Sequence, residues 1–344
     1  MQRLRARQLL GPIGILPTGL RNTITDVPGV MVGQTTLHNG KSIHTGVTAI
    51  LPHNGSIFTD KVPAGVFVAN GFGKLAGSTQ VEELGELETP ILLTNTLAVP
   101  TAMQASLEYT LAQNPKLSIR SINAVIGETN DGILNDIASF PLTKSQCIDA
   151  LVNANSGPVE EGAVGAGSGT MAFGWKGGIG SSSRMINIGE GYTLGALVQS
   201  NFGGQLILPN GYKLQQEVPN HASTDGSVMI ILATDAPLSD RNLKRLAVRA
   251  MAGLARTGAA FSNGSGDYAI AFSTNKDVRR TAARRAAAFA CYSEIPNDSM
   301  SDLFLAAIES VQEAILNSLF MATSIVGHNC IAQALPLEGI KIYK

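Results

Sequence analysis

The sequence predicts an α/β sandwich in which two helical layers cover β-sheet. Short β-branched or alternating segments, separated by glycine and proline, fill the first two thirds of the chain, and amphipathic helical segments dominate the last third. We find no internal repeat of the kind that indicates a regular βαβ array. The 344 residues are 44% apolar and 15% charged, a composition typical of a compact protein with a large core.

The predicted strands are short, and turn residues bound each of them. They cover residues 30–32, 46–51, 65–68, 91–92, 124–126, 169–173, 184–188, 192–199, 227–233 and 267–272. The polar segment 209–225 is the best candidate for an exposed loop or linker.

Five helices are predicted from apolar periodicity and from their end signals. They cover residues 101–113, 143–154, 239–256, 278–291 and 300–325. Thr143 and Ser239 are expected to cap the second and third helices, and Gly258 is expected to end the third. The third helix joins strands 227–233 and 267–272. Such a β-α-β unit predicts that the two strands lie side by side and parallel.

Composition limits the class of partner. Lys and Arg number 25 against 26 Asp and Glu, so the formal charge of −1 offers no electrostatic case for nucleic acid or an anionic membrane. The three cysteines fit reduced thiols. We recognise no signal peptide and no membrane span, so we expect a cytoplasmic protein with a small or neutral substrate.

Cofactor and metal signals are weak. The 37 glycines form clusters, but none follows the dinucleotide or P-loop pattern in full. The five histidines never pair with acids at ligand spacing on one helix face. We therefore expect no cofactor and no metal.

Residues 224–230, TDGSVMI, admit two interpretations. Asp-Gly is a common turn signal, so Ser227 can be the first residue after a hairpin corner. Alternatively, the protein cuts its own Gly226–Ser227 bond. A serine nucleophile without histidine needs a nearby base, and the cut creates an α-amine with a pKa of about 7.7 to 8.0 on Ser227 itself. The residues around the bond leave both interpretations open.

Six ordered motifs resemble the L-aminopeptidase/D-esterase family, which includes the β-aminopeptidases. They are GETNDGILND at 127–136, SGPVEEG at 156–162, KGGIG at 176–180, VQSNFG at 198–203, DGSVMIILATDAP at 225–237 and NGSGD at 263–267. The similarity extends to NTITDVPGVMVG at 22–33 and so covers nearly the whole chain.

The resemblance implies an αββα sandwich shared with nylon-oligomer hydrolases and ornithine acetyltransferases. It implies one catalytic domain over residues 1–344, made as an inactive precursor that cuts itself at Gly226–Ser227. The resulting chains, 1–226 and 227–344, are expected to stay associated and to form a homo-oligomer.

The resemblance also implies roles for individual residues. Ser227 matches the nucleophile of both self-cleavage and catalysis. Ser265 and Asp267 match residues that tune its hydroxyl and amine, and Asn201 matches a donor to the oxyanion. Lys176 matches a lysine near the nucleophile in the nylon-oligomer branch.

Ile133 departs from the family pattern, which has a tyrosine here whose hydroxyl faces the oxyanion. Isoleucine donates no hydrogen bond, and losing one oxyanion donor can cost about 10²-fold in rate. Three explanations for the missing hydroxyl stay open. Asn201 and a backbone N–H suffice as donors, another group replaces the tyrosine, or turnover is slow. A substrate amine needs an anionic partner, for which Glu128 and Asp131 are candidates.

These observations predict an N-terminal-serine aminopeptidase that releases N-terminal residues from short peptides, amides or esters. Two alternatives stay open. An endo-acting amide-oligomer hydrolase would use the same nucleophile, and an unprocessed homologue would bind without catalysis. A transferase of the ornithine type is disfavoured, because it uses a threonine usually preceded by alanine.

Overall fold

A computed structural model of the chain describes residues 3–214, 216, 226–338 and 340. Residues 215 and 217–225 of the predicted upstream loop lie outside the described residues. The strands, in chain order, are β1 Met31–Asn39, β2 Ile43–Leu51, β3 Asp60–Gly71, β4 Leu75–Ala76, β5 Glu86–Leu87, β6 Ile91–Asn95, β7 Val125–Thr129, β8 Met171–Ala172, β9 Trp175–Lys176, β10 Gly178–Ile186, β11 Tyr192–Asn201, β12 Leu206–Ile207, β13 Lys213–Leu214, β14 Ser227–Thr234, β15 Gly266–Ser273, β16 Arg280–Thr281, β17 Ile325–Val326 and β18 Ile331–Ala332. The α-helices are α1 Ala6–Leu10, α2 Ser78–Leu84, α3 Val99–Gln113, α4 Lys144–Val152, α5 Asp240–Arg256, α6 Ala282–Ala286 and α7 Ser301–Phe320.

Two large sheets form the centre of the molecule. The smaller has the order β1-β2-β6-β7-β4, and the larger has the order β10-β11-β14-β15-β3-β16 with β5 paired to β3. Apolar side chains of both sheets, such as Leu93 and Met229, pack between them. Helices α5 and α7 cover the outer face of the larger sheet, and α3 and α4 cover that of the smaller. These four layers confirm the predicted αββα sandwich.

Strand β14 is buried on both faces, which explains its unbroken apolar sequence. Val228 and Ile230 face the helical layer, whereas Met229 and Ile231 face the other sheet. Because side chains alternate along a strand, Ser227 lies on the same face as Met229, at the end of the space between the sheets.

The predicted β-α-β unit is present. Strands β14 and β15 pair in parallel, with Ser227 opposite Gly266, and α5 connects them. On its other side β14 pairs antiparallel with β11, so Asn201 lies opposite Ser227. The fold therefore brings the ends of three strands to one place.

The predicted helix 278–291 is largely wrong, because only Ala282–Ala286 is helical. The segment has no apolar face to pack on the core, and most helical stability in proteins comes from such packing. Arg284 donates instead to the carbonyls of Lys276, Asp277 and Arg279, and Arg279 pairs with Asp60. Arg280 and Arg284 lie 4.3 and 5.5 Å from the ring centre of Tyr292.

Two predicted helix details also need correction. Ser239 precedes α5 but does not cap it, because its hydroxyl donates to the carboxylate of Glu294. The last predicted helix ends at Phe320 rather than at residue 325. Thr143 does cap α4 by accepting a hydrogen bond from the Gln146 amide, and Gly258 follows the end of α5 with a φ of +90°.

Helix α7 is long and apolar enough to span a membrane by length and composition, yet 83% of its most apolar window is buried in the protein. It packs across β10, β11 and α5 in the outer core. Its composition therefore has a core-packing explanation.

A buried ionic network fastens α7 to the larger sheet. Arg184 of β10 is fully buried and donates to Glu309 at 3.0 Å and to Glu313 at 2.7 Å. Arg7 and Asn22 also donate to Glu313, each at 2.7 Å. Burial alone raises the pKa of Glu313, but the hydrogen bond from Arg7 and the charges of both arginines outweigh it and lower the pKa. The network ties the N-terminal segment, β10 and α7 together.

Replacing Arg184 with Met should lower the free energy of unfolding by roughly 3–5 kcal/mol, because it leaves two buried carboxylates without their shared partner. Urea unfolding followed by circular dichroism measures the change. Arg120→Met, the same substitution at an exposed position, is the control. Equal unfolding midpoints for the two variants would contradict the assignment.

Candidate active site

A cleft of about 370 Å³ opens where the two sheets end. The larger sheet contributes Asn201 at the end of β11 and Ser227 at the start of β14, and the smaller sheet contributes Glu128 from β7. Gly226 and Ile133 also line the cleft. Five of the predicted site residues therefore lie around one cavity.

The backbone amide of Gly266 contacts both sides of the predicted cleavage site. It donates to the carbonyl oxygen of Gly226 at 2.9 Å and lies 3.3 Å from the hydroxyl oxygen of Ser227. Ser227 is only 7% exposed. The parallel pairing of β14 with β15 thus holds one N–H donor against the carbonyl that precedes the serine.

Gly226 occupies a space that admits no side chain. A Cβ atom at this position would lie 2.3 Å from the carbonyl oxygen of Asn201 and 2.4 Å from the Cα of Phe202. Both neighbours are backbone atoms, so a larger residue would push the chain away from β11. The sequence needs glycine here for close packing of two backbones.

The side-chain amide of Asn201 is fixed at both ends. Its Oδ1 accepts from the Met171 amide at 2.9 Å, and its Nδ2 donates to the Asn130 carbonyl at 2.9 Å. These two bonds set which end of the amide is the donor. Since a side-chain amide nitrogen carries two hydrogens, Asn201 Nδ2 has a second N–H besides the one that donates to Asn130.

Ser265 and Asp267 flank Gly266 and bond to each other. The Ser265 hydroxyl donates to Asp267 Oδ1 at 2.7 Å, and both side chains are buried. Burial raises the pKa of Asp267, against the bond from Ser265, which lowers it. Asp267 Oδ2 is buried and has no hydrogen-bond partner among the described residues. Neither side chain lines the cleft.

Lys176 is fully buried and does not line the cleft. Burial lowers its pKa to about 7. Its ammonium donates to three carbonyls, those of Gly167, Thr170 and Gly177, at 2.8, 2.8 and 2.9 Å. The residue after Thr170 is Met171, whose amide orients Asn201. Lys176 therefore supports the loop that positions Asn201, and its contacts do not include Ser227.

The structure separates the two candidate partners of a substrate amine. Glu128 lines the cleft and accepts from the Lys74 amide at 2.8 Å and from the Thr96 hydroxyl. Asp131 does not line the cleft; it is buried behind it and accepts from Asn135 at 3.0 Å. Burial raises the pKa of Asp131 to about 6. Of the two, Glu128 alone lines the cavity, although both residues are only 1% exposed.

Ile133 lines the cleft and is 39% exposed. Its carbonyl accepts from the Asn329 amide at 3.1 Å, which holds the loop in place. The position at which the resemblance implies a tyrosine hydroxyl is therefore an apolar wall in this chain.

Sequence reasoning missed the contributions of Gly266, Lys74 and Thr96. The signal for part of this was the glycine cluster at Gly71 and Gly73. A Cβ at Gly73 would lie 3.1 Å from Glu128 Oε1 and 3.2 Å from the Cα of Gly266. The two glycines therefore indicated that backbone packs closely against the site. They did not indicate which residues it packs against.

Comparisons with known proteins identify the family of this chain. The family model described as "Peptidase family S58" matches residues 22–331 of this chain. The chain is 38% identical over 354 residues to "Beta-peptidyl aminopeptidase BapA" of Sphingosinicella microcystinivorans, covering 94% of this chain and 87% of that protein. It is 36% identical over 352 residues to the protein of the same name from Sphingosinicella xenopeptidilytica, with the same coverage.

Solved structures with the same fold include the PH0078 protein from Pyrococcus horikoshii OT3, with a TM-score of 0.91 and 44% identity over 97% of each chain. A Burkholderia sp. β-aminopeptidase matches with a TM-score of 0.90 and 37% identity, covering 98% of this chain and 97% of that one. The L-aminopeptidase D-Ala-esterase/amidase of Ochrobactrum anthropi, described as a variant of the Ntn hydrolase fold, matches with a TM-score of 0.90 and 37% identity over 97% and 96% of the two chains. The chain is therefore an enzyme that belongs to peptidase family S58, as its resemblance to the L-aminopeptidase/D-esterase family predicts.

Proposed function

We propose that the chain cuts itself between Gly226 and Ser227 and then acts as an N-terminal-serine aminopeptidase on short peptides, amides or esters. The observation that carries the proposal is the shared contact of the Gly266 amide with the Gly226 carbonyl and the Ser227 hydroxyl. A backbone donor aimed at a carbonyl next to a nucleophile is the arrangement of an oxyanion hole.

Maturation begins when Ser227 Oγ attacks the carbonyl carbon of Gly226. Negative charge develops on the Gly226 oxygen, which faces the Gly266 N–H. The hydroxyl proton leaves to the Ser265–Asp267 pair, and the peptide nitrogen takes a proton as the C–N bond breaks. Water then hydrolyses the ester, which leaves a Gly226 carboxylate and a free α-amine on Ser227.

The new α-amine serves as the base for substrate hydrolysis. It accepts the Ser227 hydroxyl proton as Oγ attacks the substrate carbonyl, and Asn201 Nδ2 donates to the oxyanion. The amine of the substrate's leaving part takes the proton, and water releases the acyl group. The buried Asp267 Oδ2, which lacks a partner among the described residues, can accept from the Ser227 ammonium.

Two features support an aminopeptidase over an endo-acting amidase. Glu128 lines the cleft, and in the described part of the protein no basic side chain is bonded to its carboxylate. A free substrate amine meets that charge, whereas an acylated nitrogen does not. The relatives named above are also described as aminopeptidases.

The larger sheet supports lasting association of the two chains after the cut. Strand β14 would belong to the second chain but pairs with β11 of the first, and β15 pairs with β3 of the first. Cleavage breaks one covalent bond and no part of this hydrogen-bonded sheet.

Ser227→Ala should abolish both self-cleavage and hydrolysis, because it removes the attacking oxygen. Denaturing gels and intact mass will then give only the full-length chain, whereas the wild-type smaller chain will begin at Ser227. Ser273→Ala, a buried serine at the far end of β15, should be cut normally. Cleavage of the Ser227→Ala protein, or full activity of an uncut wild type, would refute the proposal.

Self-cleavage should slow as the pH falls through the pKa of Asp267, because only the carboxylate can take a proton. Burial raises that pKa, so the loss of rate should begin above the ordinary aspartate range near pH 3.9. Cleavage of precursor from cell-free synthesis, timed after transfer to each pH, measures it. The Asp267→Asn variant should cleave itself slowly at every pH, without the loss of rate at acid pH. If the variant shows the same loss of rate as the wild type, Asp267 is not the proton acceptor.

Ile133→Tyr should raise kcat by about tenfold relative to Ile133→Phe, because the two variants differ only in a hydroxyl directed at the oxyanion. Initial rates on one amide substrate measure the difference. Equal kcat values would mean that Asn201 and backbone donors already stabilise the oxyanion fully and that a tyrosine hydroxyl adds nothing.

A further inference from the structure

The cleft contains one acid and one base that do not pair with each other. Among the described residues that line it, Glu128 and Lys74 are the two charged side chains. The carboxylate of Glu128 accepts from a backbone amide and a hydroxyl, both neutral donors. Lys74 forms no ion pair within the described residues. Neither charge is therefore neutralised by an opposite charge among the described residues; Lys74 is exposed, and Glu128, only 1% exposed, forms part of the cleft wall.

Lys74 is fixed through its backbone, and its side chain is exposed. Its amide donates to Glu128 at 2.8 Å, so the two residues are fixed next to each other. Its Nζ lies 5.6 Å from the ring centre of Phe72, a residue that is 64% exposed and also lines the cleft. A lysine on a flexible four-carbon stem can follow a charged group over several ångströms.

We propose that Lys74 binds the C-terminal carboxylate of the substrate, so that the preferred substrates are free di- and tripeptides rather than blocked amides. The inference rests on the proposed function, which places the substrate amine at Glu128 and the scissile carbonyl at Ser227. A free peptide is a zwitterion at neutral pH. Its two charges match the two unpaired charges of the cleft.

The size of the site agrees with short peptides. An extended chain spans about 3.3–3.6 Å per residue, so the terminal charges of a dipeptide lie roughly 7 Å apart and those of a tripeptide roughly 10 Å apart. A cavity of about 370 Å³ holds a ligand of this size. The flexible stem of Lys74 lets its ammonium reach the C-terminal carboxylate of either a dipeptide or a tripeptide. Phe72 offers an apolar surface beside that substrate carboxylate.

The test compares L-leucyl-L-alanine with its carboxamide, L-leucyl-L-alaninamide, which lacks only the negative charge. The wild-type enzyme should prefer the free acid by about tenfold in kcat/KM for leucine release, chiefly through KM. Lys74→Met should reduce this preference to about one, and Lys74→Arg should retain most of it. Lys116→Met, at an exposed lysine that does not line the cleft, should keep the wild-type preference.

Calorimetric titration with the same two peptides separates this inference from the proposed function. If neither peptide is hydrolysed, the proposed function fails, but tighter binding of the free acid that disappears in Lys74→Met still supports the carboxylate site. Equal affinity for acid and amide in the wild type, no binding of either, or an unchanged preference in Lys74→Met would overturn it.

Discussion

The register of β14 between β11 and β15 is the constraint on which the site depends. It places Ser227 opposite Asn201 on one side and opposite Gly266 on the other. A slip of one residue would turn the serine to the helical face, since side chains alternate along a strand. The apolar side chains of β14 fill two cores at once, so the packing of the whole sandwich enforces this register.

The same packing would preserve the sheet after the proposed cut at Gly226–Ser227. Gly226 fits against the backbone of β11 because it has no side chain, and its carbonyl is held by Gly266. The groups around the Gly226–Ser227 bond are thus already ordered in the intact chain. The Arg184 network and the buried face of α7 stabilise the larger sheet from its far side.

Charged groups near the site have different surroundings and therefore different chemistry. Glu128 lines the cleft, whereas Asp131, three residues later, does not, and burial raises the pKa of Asp131 to about 6. The Lys176 ammonium donates to three loop carbonyls. It thereby supports Met171, whose amide orients Asn201. Position within a few ångströms, rather than residue type, decides which of these groups lines the cleft and which holds another residue in place.

By itself the sequence determined the layers, the parallel pairing after β14 and the family motifs around Ser227, Asn201 and Asp267, because apolar periodicity and ordered motifs are local signals. It misjudged the segment 278–291, whose helical pattern had no core to pack against. Only the tertiary structure distinguished Glu128 from Asp131 and assigned Lys176 to the loop that supports Asn201. It also revealed the amide of Gly266 as a donor. Those properties arise from contacts between distant segments and from backbone groups that every residue carries, so no pattern of side chains could encode them.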